Sequence, residues 1–157
     1  MLAGLPTTFP QLHDHLVRPH AERVFLPRRR AQDPRPVTFG ALLDDVEALV
    51  VPVLASSFDL EASQAFLHDV GRLPKIKRGK LPVALVANRL KPWTNASQQG
   101  VEAMKELHFP LVAQLRDSTG YVVLAALGKS IFDYHSENVN SHQDDWAPLV
   151  RWLKKLA

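Results

Sequence analysis

Three runs of apolar, largely β-branched residues dominate this chain: ALVVPVL at 48–54, PVALVAN at 82–88 and PLVAQL at 110–115. Each is continuous, not alternating, which is the pattern of a strand covered on both faces. Helical periods separate them. Residues 59–73 put Ala62, Phe66, Val70 and Leu73 on one face, with Asp59 and Glu61 near the positive N-terminal end. Residues 95–107 open with Asn95 and Gln98 at capping-box spacing and continue with Val101, Met104 and Leu107. Ser118 is placed to cap a helix that reaches about 127 and stops at Gly128. Residues 144–156 carry Leu149, Val150, Leu153 and Leu156 as a stripe, with Trp146 at the start and Lys154 and Lys155 at the end. Strand and helix alternating in this way imply right-handed crossovers and a parallel sheet with helices on both faces. Three strands are few for that architecture. The expected fold is therefore an incomplete three-layer α/β sandwich with a mostly parallel sheet, completed by residues 1–40 or by something outside the chain. Pro52 cannot donate to a ladder, which marks its strand as an edge or an end.

Residues 1–40 differ in kind. They hold six of the twelve prolines, three of the seven histidines and no Lys. Proline removes a backbone donor and restricts its predecessor, so this spacing forbids a long helix or a central strand. The segment is expected to be irregular and poorly ordered, with at most a helical turn at 11–17. The boundary is expected near 38–43, giving an irregular opening (1–40) and an α/β domain (41–157). The charge follows the same division. Residues 1–40 carry six Arg against three acids, and the remainder carries thirteen cations against thirteen acids, so the net +3 belongs to the opening segment. A whole-chain claim of nucleic-acid affinity from basicity does not follow.

Composition removes several function classes. The 157 residues are 46% hydrophobic and 22% charged, in keeping with one globular domain and against global disorder. There is no Cys, hence no disulfide scaffold, thiol nucleophile or Cys-ligated metal. The longest apolar run, 48–55, is far short of the roughly 20 residues of a membrane span. No basic stretch followed by an apolar one opens the chain, so a cytoplasmic protein without membrane contact is expected.

Four short motifs invite chemistry and mostly fail on spacing. Gly128-Lys129-Ser130 has the end of a P-loop, but the first glycine of that loop falls at Val123, within an expected helix. His13, Asp14, His15 and His20 fall in the irregular segment, and His at i and i+2 do not share a helix face. Ser118, Asp133 and His135 lack a nucleophile elbow. Arg28-Arg29-Arg30 reads as a solvated charge run. Two features fit binding better. Lys75, Lys77, Arg78 and Lys80 form a dense basic loop suited to a polyanion. Asn88 and Arg89 end a buried strand, where ligands collect in open α/β sheets, and an Asn amide offers both donor and acceptor to a base edge.

The stretches ALVVPVLASSFDLEASQAFLHDV, LPVALVANRLKPWT and FPLVAQLRDSTGYVVLAALGKSIFDYHS resemble the second half of ParA/MinD-type ATPases, the plasmid and chromosome partitioning group. The resemblance covers about 41–157. It implies a P-loop NTPase-like sandwich. It also implies a nucleotide-base loop at Asn88 and Arg89, and an Arg-containing loop at Arg116 leading into a helix that ends at Gly128. Intact relatives use ATP and magnesium, dimerise, and bind DNA without sequence preference. Their Lys-Gly-Gly-x-Gly-Lys-Thr loop and Asp-Thr-Pro motif do not occur here. Without them phosphoryl transfer has no source of electrostatic stabilisation.

The expectation is thus a ParA-like partitioning or cargo-positioning protein that acts by binding, inactive as an ATPase on its own and needing no cofactor. Asn88 and Arg89 are the vestigial base site, while Arg116, Lys75, Lys77, Arg78 and Lys80 meet DNA or a partner. The partner set is nonspecific DNA, a second copy, or a full-length ParA-like chain. The competing readings are an ATPase whose P-loop comes from a partner chain, an adaptor docking through an unpaired sheet edge, and a nonfunctional gene fragment. A frame-shifted origin of residues 1–40 accounts for the composition break in the last case.

Overall fold

The computed structural model describes residues 24–27, 36–38, 43, 46–134 and 136–156. The chain divides into two compact units, Met1–Glu47 and Ala48–Ala157, so the division falls a few residues beyond the one expected from composition. In the first unit two short strands, β1 (Val24–Pro27) and β2 (Pro36–Thr38), pair antiparallel. The sequence reading assigned no strand there, because runs of four and three residues are too short to show a period. Their prolines meet at the end of the ladder, Pro27 opposite Pro36, where a lost donor costs least. The expected helical turn at 11–17 lies outside the described residues, as do the four-residue histidine cluster and Arg28 to Arg30.

The second unit is an α/β sandwich. Its elements run β3 (Leu49–Leu54), α1 (Ser57–Gly71), α2 (Pro74–Lys77), β4 (Val83–Leu90), α3 (Asn95–Lys105), β5 (Leu111–Arg116), α4 (Thr119–Ala126), a 3-10 turn (Ile131–Asp133) and α5 (Glu137–Lys154). The three strands form one parallel sheet in the order β3-β4-β5. Helices flank it on both faces, as the alternation of periods requires. No helix among the described residues is long and apolar enough to cross a membrane.

β4 is central, and its residues from Val83 to Ala87 are all buried. Leu85 and Ala87 point to one face, where they meet Val53, Leu67, Val101 and Met104 from β3, α1 and α3. Val86 points to the other, with Ala113, Leu115 and Leu149, and with Trp146 and Trp152 packed against them. Both crossover helices thus cover one face and α5 covers the other.

Helix starts follow local chemistry. Ser56 caps α1, its hydroxyl accepting from the Asp59 N–H at 3.2 Å, and Ser118 caps α4 by accepting from Gly120 N–H at 3.1 Å. Gly128, at φ +66°, supplies the left-handed stop after α4. Two details depart from the pattern-based reading. Thr94, not Asn95, caps α3, accepting from Ser97 N–H at 3.3 Å, while Gln98 donates its amide to the Pro92 carbonyl. The terminal helix starts at Glu137, capped by Ser136, not at 144, because 137–143 form helix without an apolar stripe to advertise it. The stripe itself is also rotated. Trp146, Leu149 and Trp152 face the sheet, while Val150 and Leu153 are exposed.

The sheet edges explain Pro52. Leu49 N–H donates to the Pro82 carbonyl at 2.9 Å, so Leu49, Val51 and Val53 direct their backbone groups toward β4. Pro52 therefore faces outward, where no partner in this sheet needs its missing N–H.

One close approach sets the spacing between α3 and the start of α1. A Cβ built on Gly100 falls 2.6 Å from Ala55 Cβ and 2.9 Å from Ala55 Cα, and the second of these is backbone that cannot swing aside. Gly100→Val is therefore expected to lower stability in urea unfolding by about 2–3 kcal/mol, the range of overpacking in a tight core. An unchanged midpoint, with the fold kept by circular dichroism, contradicts the proposed contact.

Candidate functional site

Parallel strands bring all their carboxyl ends to one edge, and α1, α3 and α4 all begin there. The β4 end is the most unusual of the three. Ala87 pairs with Gln114 and Leu90 with Arg116, so Asn88 and Arg89 together oppose the single residue Leu115. This is a β-bulge, which re-aims side chains at a strand end. Arg89 absorbs it with φ +53°, a left-handed backbone uncommon for a non-glycine residue. Two contacts hold the strained turn. Asn88 Oδ1 accepts from Arg89 N–H at 2.9 Å, and Arg89 Nε lies 3.4 Å from Asp117 Oδ1, across the top of β5. Asn88 is half-buried, Arg89 is exposed, and no described residue accepts from the Asn88 amide nitrogen.

The loop that follows is latched to the first turn of α3. Lys91 N–H donates to Ser97 Oγ at 3.0 Å, and the Lys91 carbonyl accepts from Thr94 N–H and Thr94 Oγ1 at 2.9 and 2.8 Å. Trp93, at its tip, is 75% exposed. Between this loop, α3 and β5 lies a cleft of about 680 Å³ lined by Leu90, Pro92, Ser97, Gln98, Val101 and Gln114 among others. Asn88 and Arg89 stand outside its lining.

Arg116, expected to meet DNA or a partner, is tied into the fold. Its Nε lies 2.8 and 3.1 Å from the two Asp145 carboxylate oxygens, its backbone N–H donates to Oδ2 of the same residue at 3.2 Å, and its guanidinium also donates to the Ser141 carbonyl. The Asp145 hydrogen bond raises the Arg116 pKa above its ordinary value. These bonds fasten α5 to β5. Beside them Trp146 Nε1 donates to Tyr121 Oη at 3.0 Å, tying α4 to α5. His142 Nδ1 is buried 3.8 Å from Asp145 Oδ2 with no hydrogen-bond partner among the described residues.

The basic loop lies at the opposite edge. Lys75 and Lys77 belong to α2, whose Ile76 is buried, and Arg78, Gly79 and Lys80 turn the chain into β4. Gly79 has φ +67°. The β4 residues Val83 to Ala87 lie between this group and Asn88, about 17 Å at strand rise. The candidates thus fall into two sets, with Arg116 at the carboxyl edge and the four cations at the amino edge, and no small ligand touches both. The whole stretch between Asp69 and Glu102 contains seven cations and no acid, a segregation that the balanced total conceals.

The remaining motifs have structural roles. Gly128 follows a helix, not a strand, so its neighbours form no phosphate cradle, and Ser130 with Asp133 makes a capping box on the 3-10 turn. Ser118 is occupied as a cap, and His135 lies outside the described residues. Asp117 is the site residue that sequence reasoning missed. It pairs with Arg89 across 28 positions, and nothing local signals such a contact.

The Tyr121–Trp146 contact has a measurable consequence. Burial pushes the Tyr121 phenol above its ordinary 10.0. A folded-state value raised in this way gives stability that is complete below the unfolded value and is lost as pH climbs through the folded one. Urea stability is therefore expected to fall above pH 10.0, and Tyr121→Phe to flatten that fall; equal slopes for both proteins contradict it. In comparisons with known proteins, no family model matches this chain, and no curated protein matches it.

Proposed function

We propose that this chain acts by binding in the manner of ParA/MinD-type partitioning proteins, taking a nucleobase at Asn88 and Arg89 without hydrolysing a triphosphate. The supporting observation is the bulge at the carboxyl end of β4, which directs a half-buried amide and a cation to the edge where α/β sheets bind ligands. Asn88 Oδ1 is engaged with the backbone, and the amide nitrogen remains to donate to a ring nitrogen or carbonyl of a base.

The described residues offer a donor to a base, and none of them forms the phosphate cradle that a triphosphate with magnesium needs. Phosphate binding in such folds needs glycine amides wrapped around the anion and a lysine reaching it. The one Gly-Lys-Ser sequence in the chain follows a helix and is engaged in turn capping. No catalytic step is assigned to it. A titration with fluorescent adenine nucleotides tests the reading. Binding is expected, Asn88→Ala is expected to weaken it about ten-fold, the worth of one hydrogen bond, and phosphate release is expected to match a heat-inactivated control. Turnover above that control, or an affinity unchanged by Asn88→Ala, overturns it.

A second contact is favoured by the acid-free stretch between Asp69 and Glu102. Lys75, Lys77, Arg78 and Lys80 at the amino edge suit nucleic-acid phosphates without regard to sequence. Duplex DNA binding is expected to weaken with salt, and each Lys→Ala change in this group to lower the log–log salt slope by about 1. A salt slope unaffected by these changes removes the contact from the proposal.

A further inference from the structure

The outer side of β5 is a sheet edge with backbone groups turned away from the sheet. Leu85 N–H donates to the Pro110 carbonyl and Asp117 N–H to the Leu90 carbonyl, each at 2.8 Å, so Pro110 and Asp117 face β4. Strand alternation then turns Leu111, Gln114 and Arg116 outward, and the bulge at Val112 absorbs the odd residue between them. The Arg116 N–H, which reaches Asp145, agrees with that direction. Asp145 thus closes one end of the edge. Toward the other end, no described residue meets the outward N–H and C=O groups of Leu111 and Gln114. β3 carries Pro52 on its outer side, whereas β5 has no proline after Pro110. Unpaired edge groups of this kind are a template for an added strand.

Clefts flank this edge on both faces. On the side of α3 lies the cleft of about 680 Å³, with Leu90, Pro92 and Val101 as its apolar lining and Gln98 and Gln114 among its polar residues. Its two charged residues, Glu102 and Lys105, bind each other at 2.6 Å, so that side is neutral. On the side of α5 lies a second cleft of about 270 Å³, lined by Val112, Gln114, Asp144, Asp145 and Pro148 among others. Asp145 is committed to Arg116, but Asp144 is exposed and makes no ion pair among the described residues. Arg116, whose charge Asp144 also feels, is already held by Asp145 and the Ser141 carbonyl. One side of the edge is thus apolar and neutral, and the other is acidic. Acids at this position repel a polyanion. Pairing two such edges about a two-fold axis gathers the acids of both copies on one face of the joined sheet, so charge disfavours a second copy as well.

An extended polypeptide of the right sequence fits both sides. Laid along Leu111 to Gln114, about 13 Å at strand rise, it pairs its backbone with the outward groups and sends alternate side chains to opposite faces. We propose that the outer edge of β5 docks an extended segment of a partner protein in which apolar and basic residues alternate, the apolar ones entering the cleft beside α3 and the basic ones meeting Asp144. Backbone hydrogen bonds supply the affinity and the two clefts supply the selectivity. The open stretch is short, so the contact is weak, with a dissociation constant on the order of 100 µM. It requires neither nucleotide nor DNA, so it stands or falls separately from the base site and from the basic loop.

Fluorescence anisotropy of a labelled peptide of about six residues, alternating valine with lysine, tests the docking on the full chain. Saturable binding is expected. Alternate residues of a strand turn their N–H groups to the same side, so N-methylating the valines alone or the lysines alone separates edge pairing from charge attraction. One of these two peptides is expected to lose at least about ten-fold in affinity, and the other to bind like the parent. Asp144→Lys is expected to weaken the valine–lysine peptide about ten-fold and to favour a valine–glutamate peptide instead. Gln114→Pro removes an outward N–H, as Pro52 does on β3, and is expected to weaken binding with unchanged circular dichroism. If that variant fails to fold, Asp144→Lys and the methylated peptides decide. No binding of the parent peptide overturns the proposal, as do methylated peptides that bind alike or an Asp144→Lys protein with unchanged preference. A peptide-free chain that sediments as a dimer, and as a monomer after Gln114→Pro, also overturns it, by assigning the edge to a second copy.

Discussion

The burial of β4 on both faces is the constraint from which the rest of this unit follows. A strand whose side chains are shut away above and below can satisfy its backbone only sideways, so it needs a strand on each flank. β3 and β5 supply them, and α1, α3 and α5 exist as helices of this size because they must cover the faces so created. A three-stranded sheet then has two edges, each a template for unwanted pairing. Here both are restricted. Pro52 removes a donor from the outer side of β3. On β5 a bulge at Val112 breaks the regular ladder, and Asp145 accepts the Arg116 N–H. The ion pair that fastens α5 to the sheet thus also closes one end of an edge.

Directionality does the same for function. Because the strands are parallel, the two kinds of candidate residue are sent to opposite ends of the sheet. The carboxyl edge receives the Asn88–Arg89 bulge, Asp117 and the latched loop bearing Trp93. The amino edge receives the cations of α2 and the turn into β4. In the proposed reading, a base-sized ligand and a polyanion are thus held without competing. The outer edge of β5 provides a third surface, different in chemistry from both.

Much of this architecture was legible because it rests on local periods. A continuous β-branched run such as 82–88 has few alternatives to a central strand, and Gly128 after an apolar segment has few alternatives to a helix stop. Ser118 is a cap for a reason visible within three residues. The errors have an equally definite cause. Residues 137–143 show no apolar stripe, yet the helix extends through them from the Ser136 cap. The stripe from Leu149 to Leu156 looked like a buried face, but the face a helix buries depends on its rotation. That rotation is set by Asp145 reaching Arg116 and by Trp146 reaching Tyr121. Arg116, a candidate contact for DNA or a partner in the sequence, makes the first of those contacts within the fold.

What the amino-acid order determined by itself is the class of fold: strands, helices, their alternation and hence parallel pairing, all consequences of side-chain spacing along one local segment at a time. Tertiary structure alone decided which residues are available. The left-handed turn at Arg89 comes from a mismatch of one residue between two strands that lie far apart in the chain. Its Asp117 partner and the close seat of Gly100 on Ala55 likewise depend on distances between elements. Such contacts carry no local signature, since each is fixed by packing across the sheet and not by the residues on either side.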